Sequence, residues 1–273
     1  MIIKVGAFEY TEVWDGVFYK KLSRYPDITD WEMRTLTEFI EYERSAGREC
    51  TLECEDPELL ETIREGLKDP SFYSAVPRPP LITECTACPH RKGCETAYVC
   101  HTAPVSNAIC IFKCGRLWSA VKARGLPARQ LAAESRNAAN DPEDYFDYIM
   151  FTWGNCQAGD RLVMERALDR PPNGEDLSVH FKPGIRFYFK YDELVKHPGR
   201  VFDGVLPMKV KDEILLSDWV FRIIVPAAEK KKVERFIPDD LKERVLYVEQ
   251  GRADIWEWSE KVYRILESEG REK

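Results

Sequence analysis

Four cysteines and two histidines crowd into the stretch ECTACPHRKGCETAYVCH, with Cys85, Cys88, Cys94 and Cys100 in the pattern C-x2-C-x5-C-x5-C. Thiolates are soft ligands, and four converging on one point suit Zn²⁺ or a 4Fe–4S cluster. The residues between them, Pro89, His90, Arg91, Lys92 and Gly93, are loop formers able to wrap a small centre. A single C-x2-C knuckle followed by two wide steps is tolerated by iron–sulfur modules, whereas zinc ribbons usually present two knuckles, so both metals stay open. His90 is a substitute ligand or a solvated loop residue. A centre of this kind would staple a loop that cannot build its own core.

Directly after the last cysteine comes a second pattern, His101-x5-Asn107-x7-Gly115, enclosing the apolar residues Ile109, Ile111 and Phe112. Farther on, Arg116, Lys122, Arg124, Arg129 and Arg136 stand against one acid, Glu134. That is a local excess of positive charge in a chain of formal net charge −7. It reads either as a solvated helical face or as a groove that tracks a nucleic-acid strand, with Trp118 and Trp153 as stacking surfaces.

The elements that must carry these residues follow from periodicity. IIKVGAFEY, GVFYKKL and CTLEC read as strands, and DITDWEMRTLTEFIEYERSAG reads as a helix stopped at Gly47. DPELLETIREGL carries an Asp N-cap and an N1 proline. Cys50, Leu52 and Cys54 recur at period two, so they share one face of a strand as small buried hydrophobes. Prolines in DPSFYSAVPRPP mark a joint before the cysteine cluster. Beyond it, a helix capped near Ser106 or Asn107 and broken at Gly115 precedes a short helix ending at Gly125. DYFDYIMFTW, IRFYFKY, GVLPMKV and VFRIIVP are strand-like, and ADIWEWSEKVYRILESEG is an amphipathic helix.

The chain of 273 residues, 44% hydrophobic and 12% aromatic, has ample material for a packed core. It shows no basic start followed by an apolar run, and no apolar stretch near the roughly 20 residues of a membrane span, which points to a soluble cytoplasmic protein without membrane contact. Nine cysteines, an odd number, point to reduced thiols rather than a disulfide scaffold.

The order of His101, an aromatic strand DYIMFTW with the later Arg161, and Glu213 opening EILL resembles the ADP-ribosyltransferases. Within them it is most similar to the DarT-type toxins, which modify bases of single-stranded DNA. The likeness covers residues 98–226, and its most specific part is the first motif, where both spacings agree. It implies that His101 and Asn107 belong to the NAD site, with His101 orienting the nicotinamide ribose. It further implies that Tyr148 or Phe151 stacks on nicotinamide, with a place in the core as the alternative for each ring, that Arg161 grips the pyrophosphate and that Glu213 is the catalytic carboxylate. Asp212 stands beside Glu213, and only one of two neighbours on a strand can face a cleft. Pro104, the sequence DRL around Arg161, and Lys211 depart from the toxin pattern, which leaves the acceptor open.

The expected fold is α+β. A small α/β domain (1–76) and a cysteine-rich metal linker (77–100) lead to an ADP-ribosyltransferase-like split-sheet domain (101–226) and a helical extension (227–273). The expected activity is transfer of ADP-ribose from NAD to nucleic acid through Glu213, with Arg116, Lys122, Arg124 and Arg129 binding the strand. A toxin-like role would imply an antitoxin partner. The alternatives are a non-enzymatic metal-cluster nucleic-acid binder and an RNA 2′-phosphotransferase-like enzyme.

Overall fold

The computed structural model describes residues 1–8, 11–14, 16–76, 97–134 and 142–271. It is an α+β structure with several separate sheets, and no helix among the described residues is long and apolar enough to cross a membrane. The chain divides into two compact units that are not contiguous in sequence. The first is Met1–Pro80, Ser119–Tyr148 and Val201–Lys211, and the second is Leu81–Trp118, Ile149–Arg200 and Asp212–Lys273. The segments 119–148 and 201–211, which the motif order assigns to a transferase domain, thus group with the N-terminal residues.

In the first unit Ile2–Gly6 lies parallel to both Val17–Lys21 and Thr51–Cys54, and Glu12–Trp14 adds an antiparallel edge. The helix Asp30–Ser45 crosses over this sheet. A capping box of Thr29 and Glu32 starts it, and Gly47 at φ +74° follows its end. Its apolar stripe of Met33, Leu36 and Phe39 packs on Ile3, Val5 and Phe18, with Phe18 and Phe39 stacked at 4.1 Å. Cys50, Leu52 and Cys54 pack together against this core as period two requires. Gly204, at φ +68°, seats on the helix so closely that a Cβ there would stand 1.9 Å from the Thr35 carbonyl oxygen.

The later segments of this unit surround a buried lysine. Lys209 and Asp203 are both fully buried, and Lys209 Nζ lies 3.0 Å from Asp203 Oδ2. The ammonium also faces the rings of Tyr42, Tyr145 and Tyr148 at 3.7, 3.8 and 4.9 Å from their centroids. Around the cage, Tyr42 donates to Asp144, and Arg48 bridges Asp144 and the buried Glu43. Burial is therefore met by ion pairing and by ring quadrupoles.

In the second unit a five-stranded sheet runs in the order Val245–Val248, Arg222–Pro226, Ile185–Lys190, Tyr98–Ala103, Thr152–Trp153. The first pair is parallel and the remaining pairs are antiparallel. Ile185–Phe189 is buried on both faces, which explains its apolar and aromatic run, broken only by the buried Arg186. The helix Ile255–Arg271 covers one face with Trp258, Val262 and Leu266. The helix Val105–Cys114 meets the other, with Phe112 5.7 Å from Phe187. Residues 227–273 are therefore no appendage: they supply an edge strand and a large share of this core. A separate two-stranded sheet pairs Arg116–Trp118 with Glu213–Leu215.

Candidate functional site

Strand alternation decides what the central strand Tyr98–Ala103 offers. His101 lies opposite Phe187, on the face that carries the helix Val105–Cys114, and Cys100 lies opposite Tyr188, on the face covered by the C-terminal helix. The half-buried imidazole has its Nδ1 3.1 Å from the Met150 carbonyl oxygen. A carbonyl oxygen only accepts, so Nδ1 carries the proton and Nε2 is left as an acceptor. Burial holds the His101 pKa below its usual value, against the opposing pull of that carbonyl, so the ring is neutral at pH 7.

Glu213 is positioned from the other sheet. It stands directly opposite Trp118 in an antiparallel register. Arg116 Nη1 donates to Glu213 Oε1 at 2.7 Å, and Trp118 Nε1 donates to Oε2 at 3.0 Å. The two side chains of the ion pair are 40% and 32% exposed, so the carboxylate is both fixed and reachable from solvent. Asp212 adopts φ +62°, a left-handed conformation that aspartate tolerates better than most residues, and it is exposed. The structure thus separates the adjacent acids: Glu213 is engaged across the sheet, and Asp212 makes the bend before it. Sequence reasoning missed Arg116 and Trp118 as partners of Glu213. The signal was present in Arg116-Leu117-Trp118, whose alternation directly after the helix stop at Gly115 is that of a short strand.

Several expected site residues sit otherwise. Phe151 is fully buried and packs edge-on against Phe189 at 5.3 Å, so it is a core residue that lies beside His101 and not an open stacking platform. Tyr148 belongs to the first unit, where its ring forms part of the Lys209 cage. Asn107 lies inside the first turn of its helix, exposed, and Pro104 occupies the N-cap without a side-chain cap bond. Arg161 is exposed on the first turn of the helix Ala158–Leu168. Its neighbour Asp160 turns inward and is fully buried, accepting from Gly184 N at 2.7 Å and from Arg186 Nε at 2.7 Å. Arg186 continues the buried network to Tyr188 and Ser259.

Of the four expected metal ligands, Cys85, Cys88 and Cys94 lie outside the described residues, as does His90. Cys100, the fourth, is buried in the core beneath the C-terminal helix, its thiol 3.7 Å from Thr102 Oγ1. Burial pushes its pKa up to about 12. Among the described residues no group of three His, Cys, Asp or Glu side chains could hold a metal.

The expected strand-binding residues are divided. Arg116 is committed to Glu213, and Lys122, Arg124 and Arg129 are exposed on the first unit, the former two in a helix capped by Ser119. Comparison with family models, curated proteins and solved structures finds no match to this chain.

Proposed function

We propose that this protein is an NAD-dependent ADP-ribosyltransferase that modifies nucleic acid, with Glu213 as its catalytic carboxylate. The observation that carries this reading is the fixation of Glu213 by one donor on each carboxylate oxygen, from Arg116 and Trp118. A preorganised, solvent-reachable carboxylate is what cleavage of the nicotinamide–ribose bond demands. In that reaction the C1′–N bond breaks and nicotinamide leaves with the bonding pair. The ribose gains oxocarbenium character, and an acceptor base nitrogen or oxygen forms the new bond to C1′ and gives up its proton to solvent. Glu213 stabilises the developing positive charge and accepts from a ribose hydroxyl. His101, neutral with Nε2 as an acceptor, takes a second hydroxyl, and Arg161 binds the pyrophosphate as a guanidinium fork.

The test is incubation of the full chain with labelled NAD and single-stranded DNA, tRNA or protein. Acceptor-dependent label transfer is expected, reduced at least about 100-fold in Glu213→Gln, as for loss of a preorganised electrostatic group. No NAD turnover with any acceptor refutes the reading.

A further inference from the structure

The second unit carries a basic and aromatic surface made of residues other than Glu213 and the segment 116–136. It is built where the strand Arg222–Pro226 leads through the short helices Lys230–Val233 and Glu234–Phe236 to the edge strand Val245–Val248. Lys113, Lys230, Lys231, Lys232 and Arg235 are all exposed. Two of these cations flank one ring: Lys113 Nζ is 4.8 Å and Arg235 Cζ 4.6 Å from the centroid of Phe236. A third, Lys230 Nζ, lies 4.9 Å from the centroid of Tyr247, which is 37% exposed. Strand alternation explains that exposure, because Leu246 and Val248 turn into the core under the C-terminal helix and Tyr247 turns away from it. Lys232 pairs with Glu229 at 2.8 Å, and Glu234 is the other acid between residues 229 and 236. Those eight residues hold four cations, and Lys113 beside them is a fifth, a local positive excess in a chain whose net charge is −7; residues 237–244, with three acids against Lys242 and Arg244, do not extend it.

We infer that this surface binds single-stranded nucleic acid, with Lys113, Lys230, Lys231 and Arg235 on phosphates and with Phe236 and Tyr247 as stacking platforms for unpaired bases. The interleaving of cation and ring is the basis for choosing a single strand. Lys113, Lys230 and Arg235 already rest on aromatic faces, and when a phosphate draws such a cation aside the face is left open to a base. A duplex keeps its bases stacked on each other and an acidic peptide offers no flat ring, so neither uses both halves of the surface. The inference supplies an acceptor-holding surface for the transferase proposed above and rests on that reading only for the purpose of the strand, not for its binding.

The test is fluorescence anisotropy of a labelled oligothymidylate with the full chain, across a NaCl series of about 0.05 to about 0.2 M. Affinity is expected to fall linearly with salt on logarithmic axes. The triple variant Lys230→Glu, Lys231→Glu, Arg235→Glu is expected to flatten that slope by about 2, since each phosphate contact to a single strand contributes roughly 0.7. Tyr247→Ala is expected to weaken binding about 5-fold or more, and Tyr247→Phe to bind like wild type, because the ring and not the hydroxyl stacks. Wild-type affinity and slope in the triple variant overturn the inference, as does tighter binding to anionic phospholipid vesicles than to the oligonucleotide. NAD turnover assayed alongside separates the two ideas. Strand binding lost in the variants of a protein that never consumes NAD sinks the transferase and leaves this surface standing. NAD consumption with unaltered strand binding does the reverse.

Discussion

Replacing Lys209 by Met removes one charge from a fully buried pair while nearly preserving side-chain volume. At the observed 3.0 Å, and with an effective dielectric of about 20, the attraction lost is about 5 kcal/mol before solvation is counted. Removing one partner of a buried pair leaves the other desolvated, and the expected net cost is about 3–5 kcal/mol. Asp203 retains backbone donors, from Val205 N at 3.0 Å and Leu206 N at 2.8 Å, which favours the low end. Asp203→Asn keeps an acceptor for those two amides, so the double variant Lys209→Met, Asp203→Asn should be more stable than additivity predicts by about 1 kcal/mol or more. The assay is urea unfolding of all four proteins. A cost under about 1 kcal/mol for Lys209→Met, or strict additivity in the double variant, refutes the assignment of a buried charge pair.

The same lysine gives a pH signature. Burial pushes its pKa below the ordinary lysine value although Asp203 pulls the other way, so in the window between the two values the unfolded chain binds more protons. Stability therefore rises with pH through the folded pKa towards the ordinary value of about 10.4. Tyr42 acts with the opposite sign, because burial, and then Asp144, hold its proton in the folded state above the usual tyrosine value. The rise is thus confined to below about pH 10, and Lys209→Met should abolish it.

Two further outcomes follow from local geometry. Gly204→Ala should cost about 2 kcal/mol or more in urea unfolding, since left-handed strain adds to collision with the Thr35 carbonyl, whereas Gly47→Ala, at a similar φ but in open space, should cost only about 1–2 kcal/mol. Elemental analysis of purified protein should find Cys88→Ser carrying less metal than wild type and, given the burial of its thiol, Cys100→Ser carrying as much; equal loss in both would place Cys100 among the ligands.

Much of the secondary structure was legible because local signals agreed with one another. Asp56 and Pro57 start a helix, Gly115 and Gly125 stop two, and Ile185–Lys190 is a strand, each where cap, breaker or β-branched and aromatic composition placed it. The strand GVLPMKV shrank to Lys209–Lys211, because Asp203 and Gly204 form a turn seated on a helix distant in sequence. The candidate site was offered as single residues and not as pairings. The resemblance singled out Glu213 over Asp212, but the register that sets Glu213 against Trp118 depends on two strands 95 residues apart. Phe151 and Tyr148 looked like ligand-facing aromatics because aromatic character is the same whether a ring faces a cofactor, a core or a lysine. The seat of Cys100 was hidden for a related reason. Spacing counts residues along the chain, whereas the pleat sends Cys100 and His101 to opposite faces of the sheet.

The discontinuity of the first unit also sets an order of events during synthesis. Its opening segment ends at Pro80, yet Asp203, Gly204 and Lys209 belong to the same unit. At typical elongation rates the ribosome takes on the order of 10 s to cover that interval. Throughout it, the nascent N-terminal sheet and helix must persist with Phe39 uncovered at the Gly204 seat and with Glu43, Tyr42 and Arg48 awaiting their cage. The second unit faces a similar delay, because Trp258, Val262 and Leu266 are among the last residues made. The core of the N-terminal sheet and helix is made early, from residues 1–73, but its cover at Gly204 and the Lys209 cage arrive late, so holdase chaperones should associate with ribosome-bound chains stalled short of residue 211.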